Sequence, residues 1–586
     1  MCGIAGILFY QGCAENLIQK AEIFNITQRH RGPDAQHYLV LGQHLLCHQR
    51  LTFMDAAGGN QPFSDITGRY FIVFNGELYN HAELKKELES RYQFQTYSDT
   101  EVVLAAWLVW KEHCLQRFNG MFSFLIWDRI EEKAFVARDP LGVKPFVYYR
   151  YGATFIFASE IKALLKVIDK SVEVNPFALV EYVIAPYFSG GGKQSIFKEI
   201  MYLEPGCYLY LDRNGVSEKR YVRSGWNLSH STEKEHIAKL SVAIEESVRV
   251  TLGAETNLGV FLSGGLDSSL IASIASRYLK HPLMAFSVAF ENHEDIHFNP
   301  ETIVNSNDLP YARILSEQLN LPLHQTVVTP CINDLCVIND RIPAWEQEFS
   351  QHVLASCAAK HVKAVLVGDA ADETHYGYFF LLNQNPLSLL QAFGADARLR
   401  MLSPSIIAAT EPVPYLNEQY HAIANEAGFV FDKTIEENHL AMSSLIQRRW
   451  LQRLFHNGDI HTMNYSLEAR VPFANQNVLE ISSLIPPALG FKNGVEKNLL
   501  RQVASQWLAP EFATRKKSAL PRDPRLGTYY QAVLTSLLEE KNDFIDTFLN
   551  RQSLEKLCKT RAINENDRMI LFNMTSLILW GNKYAQ

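Results

Sequence analysis

A chain of 586 residues is long enough for two to four domains, each able to bury a core of its own. With 20% charged and 47% hydrophobic residues, a net charge of −8 and no apolar run of about 18 residues or more, it excludes a general nucleic-acid binder, a membrane-surface binder and a membrane-spanning chain. Nine scattered cysteines without a C-x-x-C pair, and an opening stretch (MCGIAGIL) with neither a basic start nor a cleavage site, set the expectation of a reduced, cytoplasmic protein.

In chain order, the first unusual residue is Cys2 at the head of the strand-like GIAGILFY. Were Met1 removed, Cys2 would carry a free α-amine, whose pKa of ~7.7–8.0 suits a local base for the thiol. Taken alone, a small buried hydrophobe is the plainer reading of this cysteine. Short alternating segments follow (FIVFN, FSFLIWD, KAFVARD, PFVYY, TFIFAS) with few helical stretches, the pattern of two stacked antiparallel sheets flanked by helices. A last strand, CYLYLD, leads into a polar stretch without periodicity from Arg213 to Glu233 that reads as a linker. The expected division is therefore 1–212, a linker over 213–233, and 234–586.

Helical spacing resumes at His236 and leads to a buried strand over 257–262, a turn of Ser263, Gly264 and Gly265, and a helix from Ser268. A strand–turn–helix of this kind gathers backbone N–H groups and a helix N-terminus around one point, which attracts anions. The glycines are expected to let the backbone approach a phosphate. No Lys follows in Walker order, so the phosphate cradle is of another kind. Strands PLMAFSVAF, LHQTVV and KAVLVGD alternate with helices, which predicts a parallel sheet with helices on both faces. Ser263–Ser269 and Gly368–Glu373 fall at carboxyl ends of such strands and should face one pocket. Carboxylates beside a phosphate repel it unless a divalent cation lies between, and Asp267 with Asp372 suit Mg²⁺. His293 and His297 read as part of a solvated loop rather than a metal site. The segment Arg448–Leu454 reads as a helix with a core-facing side and a solvated basic side.

Cys2-Gly-Ile-Ala-Gly6, His30-Arg-Gly-Pro-Asp34, His48-Gln-Arg-Leu51, Phe74-Asn-Gly-Glu-Leu-Tyr-Asn80, Ser98-Asp-Thr-Glu101, Arg138 to Pro145 and Phe157 to Lys162 occur in that order. Together they resemble the glutaminase domain of class II glutamine amidotransferases. Ser-Gly-Gly-Leu-Asp-Ser-Ser269 resembles the pyrophosphate loop of ATP pyrophosphatases. With Gly368 to Glu373, Leu467 to Phe473, Lys497 to Arg501 and Arg515 to Ser518, nearly the whole chain is similar to glutamine-hydrolysing asparagine synthetases.

The resemblance implies an N-terminal αββα sandwich of the N-terminal nucleophile type and a parallel-sheet ATP-pyrophosphatase domain. Cys2 would attack the glutamine amide, forming a thioester and releasing ammonia, Asn75 and the backbone of Gly76 would hold the oxyanion, and Arg50 would grip the glutamine α-carboxylate with Leu51 among the glutamine-binding residues. Glu77 and Asp99 would hold its α-ammonium. ATP would lie on Leu262, Ser263, Gly264, Gly265, Asp267, Ser268, Ser269, Val288, Gly368 and Lys517, Mg²⁺ on Asp267 and Asp372, and Asp369 would act as base or position ammonia. His30, Arg31, Asp34, His48 and Asp139 are expected to be structural, Asp459, Met463 and Leu467 to Phe473 resemble the family's helix that packs against the substrate pocket, and an internal passage carries the ammonia. The partners implied are glutamine, ATP and a carboxylic acid, without nucleic acid or membrane, and a homodimer is compatible. The segment around Asp369 departs from the family pattern at Val367, Ala370, Thr374 and His375, and Asn475 replaces an Asp. Three readings follow: aspartate as acceptor, another small carboxylic acid, or a nucleotide-binding protein with a degenerate synthetase half, against which intact Asp267, Asp372, Glu373 and Lys517 argue. A glutaminase acting alone is separated from these by whether glutamine turnover needs ATP and acceptor.

Overall fold

Seventeen strands build three sheets, as seen in a computed structural model that describes residues 2–11, 14–56, 58–222, 226–253, 257–290, 308–517, 523 and 525–585. The first sheet is antiparallel and holds β1 (Gly3–Leu8), β2 (Ala35–Leu41), β3 (His44–Arg50), β8 (Val147–Tyr151), β9 (Thr154–Ala158) and β10 (Ile200–Tyr202), in the order β10-β8-β9-β1-β3-β2. The second holds β4 (Phe63–Ser64), β5 (Tyr70–Leu78), β6 (Gly120–Asp128), β7 (Lys133–Arg138), β11 (Cys207–Leu211) and β12 (Val216–Arg220), in the order β12-β11-β7-β6-β5-β4. Successive side chains of a strand point to opposite faces, so each strand can supply two layers. In β6, Leu125 and Trp127 join Ile4, Leu8 and Leu46 of the facing sheet, while Phe122, Phe124 and Ile126 turn outward. Helix α1 (Ala14–Thr27) covers the outer face of the first sheet with Leu17 and Phe24, and α2 (Asp99–Trp110) covers the second with Val102, Val103 and Ala106. The result is helix, sheet, sheet, helix.

The polar stretch after residue 212 is not all connector. Val216–Arg220 pairs with β11 as the edge of the second sheet, its exposed face accounting for its polarity. A capping box of Thr232 and Glu235 then starts α3 (Glu233–Thr251). The third sheet is parallel: β13 (Leu258–Phe261), β14 (Met284–Phe290), β15 (Leu323–Val328), β16 (Ala364–Leu366) and β17 (Glu468–Arg470), in the order β15-β14-β13-β16-β17. Helix α4 (Leu266–Tyr278) begins two residues before Ser268, because extended Gly265 turns the chain straight into it, and so Asp267 lies in the first turn. Helices α5 (Gln347–Ala358) and α6 (Trp450–Met463) pack on the sheet and on each other. The segment Leu467–Phe473, likened above to a helix, is instead strand β17 followed by a single 3-10 turn.

The basic segment at Arg448 also differs from its expectation. The chain breaks between two helices at Arg449 (φ −121°, ψ −65°), and its basic side is not solvated. Arg453 is 1% exposed, donates to the carbonyl of Ile342 and lies 3.5 Å from Glu348, and Arg448 pairs with Glu204 and Glu426. Burial of these cations follows from the tight join of the two halves. One apolar cluster runs from Ala5, Ile7 and Leu45 through Tyr182 and Phe188 to Val260 and Ile271. Buried Arg31 crosses the join, 2.9 Å from Glu160 and 2.7 Å from Asp459. Among the described residues no helix is long and apolar enough to cross a membrane. Glu291–Asn307, with His293 and His297, lies outside the described residues.

Candidate active site

Two cavities gather the residues singled out above. The first is lined by Cys2, Arg50, Leu51, Gly76, Glu77 and Asp99, and by Glu468 of β17 from the other half. Cys2 precedes β1 and is 8% exposed. Its backbone N donates to Asn75 Oδ1 at 3.0 Å, and its Sγ lies 4.0 Å from the carbonyl of Leu51. Burial pushes the thiol up, so the thiolate needs a proton acceptor at hand. His48 cannot serve: it is fully buried and desolvation pushes its ring down to about 3. Asn75 is oriented by the Cys2 contact, and its Nδ2 is buried without a hydrogen-bond partner among the described residues. A buried donor of this kind is costly unless a partner accepts from it, and Asn75 itself is not among the residues that line the cavity, whereas its neighbour Gly76 is. Gly76 sits opposite Phe122 in the β5–β6 register, and a Cβ there would come within 2.3 Å of the carbonyl of Met121. Only glycine fits.

Around the cavity, Asp99 in the first turn of α2 accepts from the backbone N of Leu78 at 3.1 Å, and burial pushes its carboxyl up. Glu77 Oε1 lies 2.9 Å from Arg470 Nη2. Arg50 spends its two Nη groups on Asn60 Oδ1 and on carbonyls of Met54, Asp55 and Ala56, and thereby orders the loop over the cavity.

The second cavity, of about 250 Å³, lies at the carboxyl ends of β13, β14 and β16. Leu262, Ser263, Gly265, Asp267, Ser268, Val288, Gly368, Asp369, Asp372 and Lys517 all line it. Gly264 and Ser269 do not. Gly264 has φ +71°, and a Cβ on it would lie 2.6 Å from Tyr311 Cβ and 2.7 Å from Ala312 N. Its lack of a side chain lets the helix Leu309–Gln318 pack against the turn. Ser269 is wholly buried within α4. In the loop, Ser263 N donates to Ser268 Oγ at 3.3 Å and Gly265 N to Ser263 Oγ at 3.2 Å.

Charge in this cavity is arranged in two sets. Lys497 Nζ is 2.6 Å from both Asp267 and Asp372, and Lys517 Nζ is 2.6 Å from Asp372. Burial opposes ionisation of Asp372, but the two lysines overcome it and hold its carboxyl well below the usual range. Among the described residues Asp369 has no such partner: burial, then the like charges of Asp372 and Asp267, push it up to about 7. Glu373 is pushed up to about 8 by burial and by Asp372, while Tyr378 OH donates to it at 2.7 Å. Asp267 Oδ1 is buried without a hydrogen-bond partner among the described residues. Two carboxylates beside a phosphate-type turn, one with an unused oxygen, are a donor set that fits a hard divalent cation. Ala370 takes φ +74°, a left-handed conformation that costs a non-glycine residue about 1–2 kcal/mol.

Of the departures around Asp369, only Val367 lines this cavity. His375 is buried 3.0 Å from Ser482 Oγ, and Asn475 caps the helix Gln476–Ser483 through Asn477 N. Lys497, Glu468 and Arg470 were quoted above only as parts of motifs. The sole local signal for Lys497 is its basic segment, for its two aspartates lie 230 and 125 residues earlier in the chain.

A family model describing a glutamine amidotransferase domain matches residues 1–222. With the fold and the two cavities it defines the class: a two-part carbon–nitrogen ligase that uses glutamine as amide donor. A second model, asparagine synthase, matches residues 239–581, more than half of the chain, and the chain belongs to that family. It is 29% identical to glutamine-hydrolysing asparagine synthetase 3 of Bacillus subtilis strain 168, over 96% of this chain and 94% of that protein. Identity to asparagine synthetase 1 of the same strain is 28%, over 99% of this chain and 96% of that one. Among solved structures, the glutamine phosphoribosylpyrophosphate amidotransferase of B. subtilis is 15% identical, with a TM-score of 0.30 over 63% of this chain and 82% of its own.

Proposed function

We propose that the chain adenylates a carboxylic acid with ATP and amidates it with ammonia drawn from glutamine, with aspartate as the acceptor and asparagine as the product. The observation that carries this reading is the pair of cavities on either side of β17, one around a thiol and one around a phosphate-type turn. We divide the labour at the sheets, residues up to the end of β12 releasing ammonia and residues from α3 onward consuming it.

In the first cavity Cys2, freed of Met1, attacks the carbonyl carbon of the glutamine side-chain amide; the C–N bond breaks, ammonia leaves, and the resulting thioester is hydrolysed by water to glutamate and the free thiol. The α-amine of Cys2 accepts the thiol proton, which offsets the burial that disfavours a thiolate. Asn75 Nδ2 and the N–H of Gly76 take the developing oxyanion, a contribution of ~3–4 kcal/mol per oriented donor. Glu77 and Asp99 hold the α-ammonium, and Arg50 and Leu51 shape the end that receives the α-carboxylate. In the second cavity the Ser263–Ser269 turn cradles the phosphates, and Lys517 and Lys497 lie where departing pyrophosphate needs cations. Asp267 and Asp372 would hold Mg²⁺, which supplies neutralisation of phosphate charge when bound. Asp369, with a carboxyl near neutrality, accepts a proton as ammonia attacks the acyl adenylate and AMP leaves. Because most free ammonia is protonated at neutral pH, an internal path between the cavities preserves the nucleophile.

A second reading keeps the chemistry and changes the acceptor. Beside Asp369 the wall formed by α5 and α6 contributes Ser350, Gln351, Leu354, Gly458, His461 and Thr462 and, among the described residues, no Lys or Arg. The basic residues of the cavity come from 497–501 and 515–517, whose members pair with Asp267, Asp372 and Asp308. The α-carboxylate of aspartate would find no cation on that wall. Release of AMP and pyrophosphate measured against a panel of carboxylic acids separates the two readings: aspartate either stimulates release and yields asparagine, or leaves it at background while another acid raises it. In the same assay Cys2→Ala should abolish glutamine-dependent synthesis and spare synthesis from added ammonia; loss of both would defeat the division of labour.

A further inference from the structure

Strand β17 is three residues long, and its side chains reach three places. On one face, Ala469 lines the cavity of the phosphate-type turn. On the other, Glu468 borders the Cys2 cavity and Arg470, fully buried, crosses to the amidotransferase half. The guanidinium of Arg470 lies 2.9 Å from Glu77 Oε1 and 2.7 Å from Glu468 Oε1, and it donates at 3.0 Å to each of the carbonyls of Thr251 and Leu252 at the end of α3. Its backbone carbonyl accepts at 3.0 Å from the N of Val367, the residue directly before Gly368 and Asp369. A single arginine thus touches an acid of the first cavity through its side chain and the acidic segment of the second through its main chain.

We propose that Arg470 is a positioning residue for glutamine, setting the Glu77 carboxylate against the substrate's α-ammonium, and that through Val367 it makes glutamine affinity depend on what occupies the nucleotide cavity. The inference rests on the assignment of Glu77 to the glutamine site. Glu77 and Glu468 both face the Arg470 guanidinium, and the buried Lys144 adds its charge on the Glu468 side, so Arg470 is the cation that orients Glu77. The planar fork fixes the orientation of Glu77 as a lysine could not, since it anchors at the same time to the two α3 carbonyls. A shift of β17 against β16 as the Asp369 segment responds to nucleotide would carry Glu77 with it. By thermodynamic reciprocity, bound glutamine then alters nucleotide affinity by the same factor.

The test compares the full-length protein with Arg470→Lys and Arg470→Met. Glutamine hydrolysis is followed with and without Mg²⁺ and a non-hydrolysable ATP analogue, and ammonia-driven synthesis and thermal unfolding are recorded beside it. Unaltered protein should show a glutamine KM that changes several-fold with the analogue. Arg470→Met should raise that KM by about tenfold or more with kcat within about threefold, and remove its dependence on nucleotide. Arg470→Lys, which keeps the charge and loses the fork, should recover part of the KM but not the nucleotide dependence, with ammonia-driven synthesis retained. A glutamine KM unchanged in Arg470→Lys, or one indifferent to nucleotide in the unaltered protein, overturns the proposal, as does a parallel fall of both activities. Should Arg470→Met not fold, the Lys variant alone decides. A protein that hydrolyses glutamine normally while these effects are missing isolates the failure to Arg470; one that never hydrolyses glutamine removes the donor site itself.

Discussion

Asn75 divides one amide, its oxygen taken by Cys2 and its nitrogen buried without a hydrogen-bond partner among the described residues. Asn75→Ala removes the oriented donor and should lower kcat for glutamine hydrolysis by about 10²–10³-fold while ammonia-driven synthesis persists, as steady-state assays on each half-reaction would show. Asp369 answers to pH. Its carboxyl is pushed up to about 7 in the fold against about 3.9 in an unfolded chain, so the folded state carries the extra proton between those values. The stability this contributes is complete below the lower value and is lost as pH rises through the upper one. Asp369→Asn has no carboxyl to ionise, so the Tm of the ligand-free variant minus that of the unaltered protein should grow from pH 5 to pH 8; a flat difference would contradict the placement of Asp369.

At the scale of elements, the turn between β13 and α4 shows how a motif can be legible while the reason for one of its residues is not. Ser-Gly-Gly-x-Asp-Ser after an apolar strand announced a phosphate-type turn, and Asp267 and Ser268 do line its cavity. Gly264, however, is required by the helix Leu309–Gln318 packed behind it, a neighbour over forty residues away in sequence. Gly264→Ala combines a left-handed φ with a backbone contact under 3 Å and should destabilise the protein by roughly 2–4 kcal/mol, seen as a lower Tm together with loss of nucleotide binding. β17 shows the opposite case. Three residues are too few for a periodicity to declare a strand, and only pairing with β16 makes them one.

For the molecule as a whole, the join between halves holds charges that most proteins leave at the surface. Arg31 is fully buried between Glu160 and Asp459, each from a different half. Removing one partner of a buried pair leaves the other uncompensated, typically at about 3–5 kcal/mol, although Glu160 retains part of the compensation here. Asp459→Ala should therefore lower the melting temperature and separate the unfolding of the two halves in a calorimetric scan. Coincident, unshifted transitions would show that the pair does not couple them.

Sequence by itself determined the antiparallel and parallel halves, the thiol at residue 2, the phosphate-type turn and the acidic segment near residue 369, because each is written in local periodicity or in a short run of neighbouring residues. It read Val216–Arg220 as linker because an edge strand with a wet face carries little apolar signal, and it read the basic segment at Arg448 as solvated because the acids that pair with it come from elsewhere in the chain. Tertiary structure alone decided that Lys497 bridges Asp267 and Asp372, that Asp369 has no cation of its own among the described residues, and that Arg470 reaches Glu77. Those are contacts between residues up to 393 positions apart, and the burial that gives them their strength exists only once the sheets have closed over them.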